Sequence, residues 1–411
     1  MTDPDFEPDL EGLRRAVELI AEHAARAADP LPDGGPSPSW PDSLPDTGVG
    51  GLGALEALAP AVLGSAARLG HPGYFGHMDP PTPWPSWAGA LWAASLNQNL
   101  LHHDAAPVAR DLERSVVGWL APFFGMDGGH LVPGSSLATL TALWAARELR
   151  GVRTVVASEL AHLSVRKAAA LLGLELVELP AGHEDHRMRV SRLDPSRAAL
   201  VLTAGTVASG AVDPLDAFPD AAWRHVDAAW AGPLRLSERH AGLLEGIERA
   251  DSVGFSAHKW LFQPKESAAV LFRDSAAAHD AISYGAGYLA APNVGLLGSH
   301  GASALPLALT LLAWGRQGMA ERIETCMELA QRLAERVQDE PSLELFGPSV
   351  TGVVLWRPLR ASAAEVQARL QAAFVSLSTV HDETWLRSVS ANPNAEPDLV
   401  VDAVLAAFSR P

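Results

Sequence analysis

The sequence predicts an α/β protein: a mainly parallel sheet covered by helices, preceded by a helical arm and followed by a small α+β domain. Three observations carry that expectation. From about residue 110 to 290, short β-branched runs alternate with helical segments. Beyond about residue 300, a long helical region gives way to weaker strand signals. The first 65 residues hold a single helical stripe and a proline-dense stretch instead.

In chain order, Leu10, Leu13, Val17, Ile20 and Ala24 mark one face of a helix over residues 10–27. Pro30, Pro32, Pro36, Pro38, Pro41 and Pro45 follow. Locked φ angles and missing donors at that density prevent a regular element. The stretch reads either as an arm crossing a partner subunit or as a tether to the first helix. Val152–Ala157, Leu174–Leu179, Ala199–Thr203, His225–Ala229 and Ala268–Phe272 read as buried strands. Helices are expected between them at Ser164–Leu172 and Pro214–Arg224. A long helix over Ala302–Val337 then precedes weaker strands at Gly352–Trp356 and Trp385–Val389. The expected division is an arm at 1–65, a large domain at 66–295 and a small domain at 296–411.

Composition narrows the function. In 411 residues, 48% are apolar and 19% charged, which suits a globular chain. Basic side chains number 31 and acidic ones 48, a net charge of −17. That is the wrong sign for a phosphate-backbone binder, so no nucleic-acid partner is expected. The single cysteine, Cys326, excludes an intrachain disulfide framework and a cysteine zinc cage, and no metal site is expected. The acidic N-terminus lacks the basic-then-apolar build of a signal peptide. The apolar stretch from Gly301 to Trp314 falls short of the ~20 residues a membrane span needs. A soluble, cytoplasmic protein is expected.

Four segments carry chemistry. Gly134-Ser135-Ser136 opens a helix, where small residues and two hydroxyls suit an anion; taken alone, the segment reads more simply as an ordinary serine N-cap. His162 stands after a strand at the mouth of a helix, as a packing, capping or reacting residue. Asp227 ends a buried strand, where ligands of parallel sheets gather. A buried carboxylate there needs a positive partner, either a protonated pyridine nitrogen or a structural arginine. Lys259 lies in Ser256-Ala257-His258-Lys259-Trp260 after the apolar Val253-Gly254-Phe255. Burial near another cation would leave its amine neutral and able to form a Schiff base. In this order the four are the parts of a pyridoxal 5'-phosphate site.

The chain resembles the group II pyridoxal-phosphate-dependent amino-acid decarboxylases, relatives of the aromatic amino-acid and glutamate decarboxylases. The resemblance runs from His71-Pro72 to about Pro393 and includes His71-Pro72-Gly73-Tyr74-Phe75-Gly76, Asn97-Gln98-Asn99-Leu100, Gly134–Thr139 and Ser158–His162. It continues through Thr203-Ala204-Gly205-Thr206, His225-Val226-Asp227-Ala228-Ala229, Ala257-His258-Lys259-Trp260, Leu386-Arg387 and Asn392-Pro393. It implies an aspartate-aminotransferase-like, fold type I homodimer with its sites at the subunit interface. By resemblance Lys259 carries the cofactor as an imine, Asp227 holds the pyridine nitrogen protonated, and His162 stacks on the ring. Ser135, Ser136, Ser256 and His258 would contact the phosphate, Thr206 would border the cofactor, and Ala229 would pack beneath the ring.

The chain also departs from the family. Val207, Leu137 and Ser256-Ala257 stand where relatives often carry a threonine, an acid and Asn-Pro. After Tyr288-Leu289 many relatives have a long loop whose tyrosine protonates the substrate carbon. Only Ala290 to Leu297 stand here before Gly298-Ser299-His300, and none is tyrosine. His162, His102, His103 and His300 are the candidate substitutes. The expected reaction is decarboxylation of a neutral apolar or aromatic L-amino acid to its amine. The alternatives are aldehyde formation with oxygen, transamination or carbon–carbon cleavage. A phosphate-ligand binding protein without turnover is a third reading.

Overall fold

A computed structural model of the chain describes residues 9–25, 29–31, 41, 43–189, 196–217, 219–287, 289 and 292–409. Most of the proline-dense stretch, and Tyr288, lie outside these residues. The chain opens with α1 (Leu10–Ala25), α2 (Gly50–Val62), β1 (Tyr74–Phe75), α3 (Trp84–Leu96) and α4 (Pro107–Leu120). Then come β2 (Gly128–Val132), α5 (Ser135–Arg150), β3 (Thr154–Ser158), α6 (Leu163–Leu172), β4 (Glu175–Leu179), β5 (Ala198–Thr203) and β6 (Trp223–Asp227). These are followed by β7 (Ser252–Ser256), β8 (Ala268–Phe272), α7 (Ser275–Ala281), β9 (Ser283–Tyr284), β10 (Asn293–Val294) and α8 (Ala304–Gln338). The chain closes with β11 (Leu343–Leu345), β12 (Val353–Pro358), α9 (Ala363–Ala368), β13 (Phe374–Val380), β14 (Glu383–Val389) and α10 (Pro397–Ser409).

The large sheet has the order β2-β8-β7-β6-β5-β3-β4. Its five strands from β7 to β4 are parallel, and β8 pairs antiparallel with both β7 and β2. Both faces are covered, so β5 is buried along its whole length. Its Leu200 and Leu202 join the core with α4 and the start of α8, while Ala199 and Val201 face α5 and α6. A doubly covered parallel sheet leaves its strand ends as the place where loops meet a ligand.

Three sequence expectations are corrected. Residues 214–217 and 219–222 form turns, not the expected helix, and the strand begins at Trp223. The parallel ladder with β5, in which Ala199 faces Trp223, and an indole bond from Trp223 to Ser252 Oγ at 2.9 Å draw this segment into the sheet. That strand also stops at Asp227, before Ala229. The long helix is interrupted at Gly315, whose φ of 64° and ψ of −177° fall outside helical geometry.

The smaller sheet has the order β1-β13-β14-β12-β11. Its edge strand Tyr74–Phe75, within the stretch expected in the large domain, pairs parallel with Phe374 and Val375. No helix among the described residues is long and apolar enough to cross a membrane.

Candidate active site

Asp227 is the last residue of β6 and Lys259 lies three residues past β7, the neighbouring parallel strand. Asp227 is buried, and its Oδ1 accepts from the N–H of Ala229 at 3.1 Å. Among the described residues it has no arginine or lysine in ion-pair contact. The structural-arginine alternative is therefore not what this fold uses within the chain. Burial pushes the Lys259 ammonium below the ordinary lysine range, while the attraction of Asp227 opposes this. Lys265, Asp79 and Arg387 also act on it.

Each of these residues is followed by a tryptophan that anchors it. Trp230 Nε1 donates to Thr351 O at 2.7 Å, Trp260 Nε1 donates to Ser390 O at 2.9 Å, and the two indoles lie 4.2 Å apart. Gly352 makes room for this pair, since a Cβ there would fall 2.6 Å from the Trp260 ring. The small-domain backbone thus clamps both strand ends that carry the Asp227–Lys259 pair.

His162 is the N-cap of α6. Its Nδ1 accepts from the N–H of Ser164 at 3.2 Å and lies 2.9 Å from Ser164 Oγ. With Nδ1 used as an acceptor, the ring proton of the neutral form sits on Nε2. Burial lowers its pKa, the charge of Asp227 raises it, and Lys259 lowers it. Of the other three histidines, His102 and His103 are exposed. His300 bonds through Nδ1 to Gly298 O at 2.8 Å and acts electrostatically on Glu113 and His130.

The anion cradle departs from the serine N-cap reading. Gly134, with a φ of 109°, is the N-cap of α5, and no side chain caps the helix. Gly134 O accepts from Leu137 and Ala138, so the N–H groups of Ser135 and Ser136 have no acceptor within the helix. Ser256 is buried, and its Oγ has no hydrogen-bond partner. His258 Nδ1 lies 2.9 Å from Ser267 O, so it donates there and leaves Nε2 free. Burial, followed by Lys265 and Lys259, pushes His258 down to about 4. Thr206 is buried with its hydroxyl held inside its own turn, accepting from the Ala211 N–H at 3.1 Å.

Arg387 is a further charged group that was not among the sequence candidates. It lies on β14, is 5% exposed, and donates from Nη1 to Ser376 Oγ at 3.0 Å. Its buried Nε has no partner, and burial pushes it down to about 10. An arginine between the buried Trp385-Leu386 and Ser388-Val389 of this strand was the available signal. Nearby, Lys265 pairs with Asp79, and the charges of Asp79, Arg387 and Lys265 act on His77.

A half-buried lysine, a buried carboxylate, a helix-capping histidine within the electrostatic reach of both, an orphaned buried hydroxyl and a helix N-terminus together suit a phosphorylated aldehyde with a basic ring nitrogen. This donor set fits pyridoxal phosphate, and the class is that of the fold type I enzymes. The chain belongs to the pyridoxal-dependent decarboxylases, whose conserved domain matches residues 59–358. It is 31% identical to an L-2,4-diaminobutyrate decarboxylase of Rhizobium meliloti over 87% of this chain and 82% of that one. It is 30% identical to the cysteine sulfinic acid decarboxylase of Mus musculus over 72% and 69%. A crystal structure of Oryza sativa TDC with PLP and tryptamine shares the fold, with a TM-score of 0.85 at 23% identity over 97% and 96% of the two chains. The protein is thus a pyridoxal-phosphate-dependent carboxy-lyase acting on an amino acid.

Proposed function

We propose that the chain converts a small amino acid with a polar side chain to its amine and carbon dioxide, using Lys259 to carry the cofactor. The observation that carries this reading is the buried Asp227 and the half-buried Lys259 at and just past the ends of adjacent parallel strands, each acting on the other electrostatically. Pyridoxal phosphate supplies the electron sink for the pair left behind when the carboxylate departs. Asp227 offers its carboxylate to the ring nitrogen, and its attachment to the Ala229 N–H keeps it oriented. His162 covers the ring and presents Nε2–H. Ser135, Ser136, Ser256 and His258 hold the phosphate, Ala229 packs beneath the ring, and Thr206 braces the adjoining turn.

The substrate reading rests on the charges around Lys259. His77, Asp79, Lys265 and Arg387 make this surface polar, which suits a polar side chain better than the neutral apolar or aromatic one expected from the sequence. Arg387 suits a substrate carboxylate. The two relatives named for diaminobutyrate and cysteine sulfinate support the same choice. A panel containing both of those amino acids, tryptophan and leucine, assayed for carbon dioxide and amine, tests the proposal. Fastest turnover is expected on a polar member. Preference for tryptophan or leucine would overturn the substrate assignment, and amine without carbon dioxide would overturn the reaction.

A second outcome has one observation in its favour: no tyrosine stands between Leu289 and Leu297. Aldehyde and hydrogen peroxide formed in air with the same substrate would favour the oxidative route.

We also propose that two copies associate. Trp84, Trp87, Leu91, Trp92 and Leu96 leave an apolar face of α3 exposed, a surface larger than isolated apolar residues explain. Sedimentation should give a dimer; a fully active monomer would contradict it.

A further inference from the structure

At the end of the large sheet opposite Asp227 lies an open cavity of about 430 Å³. Arg150, Arg224, Arg249 and Arg273 line it, and among the described residues Asp251 is its one carboxylate. Ligands of parallel sheets gather at the other strand ends, so the cofactor accounts for none of these side chains. The four arginines come from separate elements. Arg150 is the last residue of α5, Arg224 the second of β6, Arg249 precedes β7 and Arg273 follows β8. Because β8 runs antiparallel to β7, it returns Arg273 to the end where β6 and β7 begin.

Part of this arrangement holds the fold. Arg224 Nη2 donates to Arg249 O, and Arg273 Nη2 donates to Glu248 O at 2.6 Å and to Ala250 O at 2.7 Å. Asp251 Oδ2 accepts from the Arg224 N–H at 2.7 Å, and Arg150 suits the C-terminal end of the α5 dipole. A positive excess remains. Among the described residues no carboxylate stands within ion-pair distance of any of the four guanidiniums, and those of Arg150 and Arg249 make no hydrogen bond. Arg224 Nη1 is buried without a partner, an arrangement that is costly unless an acceptor meets it. Burial pushes Arg224 below the ordinary arginine range; Asp251 and Asp216 oppose this, while Arg273 and Arg249 add to it. Such a gathering of like charge stands out in a chain of net charge −17.

We infer that this cavity binds a diphosphate group, apart from the cofactor. Four guanidiniums against one carboxylate leave an excess of three positive charges, which matches a diphosphate better than a single phosphate. The planar fork of arginine pairs with phosphate oxygens through two parallel N–H bonds, and Arg150, Arg249 and the Arg224 Nη1 nitrogen have such donors to give.

Equilibrium dialysis of labelled inorganic pyrophosphate against the holoenzyme, whose own phosphate cradle is filled by the cofactor, tests this. Saturable binding is expected at millimolar concentration or below. The double variant Arg150→Gln/Arg249→Gln, which removes no bond of the fold, should bind about tenfold or more weakly, the scale of a lost charge-assisted hydrogen bond. Thermal unfolding is the control for folding, and each single variant should show part of the loss. Ser136→Ala, at the cofactor cradle, should bind pyrophosphate as the wild type does. Adenosine diphosphate separates the sources: tighter binding than pyrophosphate, lost in the double variant, assigns the group to a nucleotide, and weaker binding assigns it to inorganic diphosphate. No saturable binding by the wild type, undiminished binding by the folded double variant, or a loss confined to Ser136→Ala would overturn the inference.

Discussion

Arg387 and Ser376 face each other across the β13–β14 ladder, and Arg387 Nη1 donates to Ser376 Oγ at 3.0 Å. The serine hydroxyl lies 3.1 Å from Gly76 O, just past β1, so one cross-strand contact ties three strands of the small sheet to the guanidinium. The contact engages Nη1 and leaves the buried Nε without a partner. Arg387→Met should raise the substrate KM about 10–100-fold, the scale of a lost charge-assisted hydrogen bond. Steady-state kinetics with thermal unfolding as the control would check this. An unchanged KM in a folded variant would remove Arg387 from substrate binding.

Lys259 should be the cofactor-bearing amine. Burial lowers its pKa, so more of the reactive neutral form is present at neutral pH than for an exposed lysine. Borohydride treatment of the holoenzyme should fix the cofactor to the peptide containing Lys259, and Lys259→Ala should abolish turnover. Label on Lys265 or Lys167 would sink the assignment.

Asp227→Ala should damage cofactor retention and the chemical step together. Removing one member of a buried charge pair costs about 3–5 kcal/mol, which is about two to four orders of magnitude in binding. Cofactor affinity and single-turnover rate measured on the same preparation test both effects. Normal turnover with bound cofactor would make Asp227 a structural residue.

Acid should destabilise the cofactor-free fold through two buried histidines. Burial pushes His130 down to about 3 and His225 to about 4, from 6.5. Below pH 6.5 the unfolded chain takes up protons that the folded one refuses, so stability falls as pH falls and the loss levels off below the folded values. Each group contributes up to about 1.4 kcal/mol per pH unit in that window. Urea midpoints measured between neutral and mildly acid pH should decrease, less steeply in a folded His130→Phe variant. A flat profile in the wild type would contradict this.

His162 should be the group that delivers the proton in place of a loop tyrosine. It alone of the four candidate histidines acts electrostatically on both Asp227 and Lys259 among the described residues. A general acid contributes roughly 10²–10⁴-fold, and His162→Phe should slow amine formation on that scale under an oxygen-free atmosphere. If rate and product stay the same, His162 is not the donor, and His300 becomes the next variant to make.

The local motifs were legible because their chemistry follows from neighbours in the chain. Asp227 ends an apolar run, Lys259 follows another, and glycine precedes the paired serines of α5. The same local reading misassigned residues 214–224, whose alanines and leucine suit a helix. Pairing with β5 and β7 prevailed there, since a buried parallel strand satisfies its backbone through distant partners. It also left Arg387, Asp79 and Ser376 unlinked, though they converge from separate strands and loops. Sequence by itself determined the family, the cofactor chemistry and the alternation of strands and helices along the large domain. Tertiary structure alone decided that Gly134 rather than a serine caps α5, and that Trp230 and Trp260 fasten the strand ends bearing Asp227 and Lys259 to the small domain. The physical reason is range: capping and strand patterning act over a few residues, whereas register, burial and opposed charges are set only when distant segments meet.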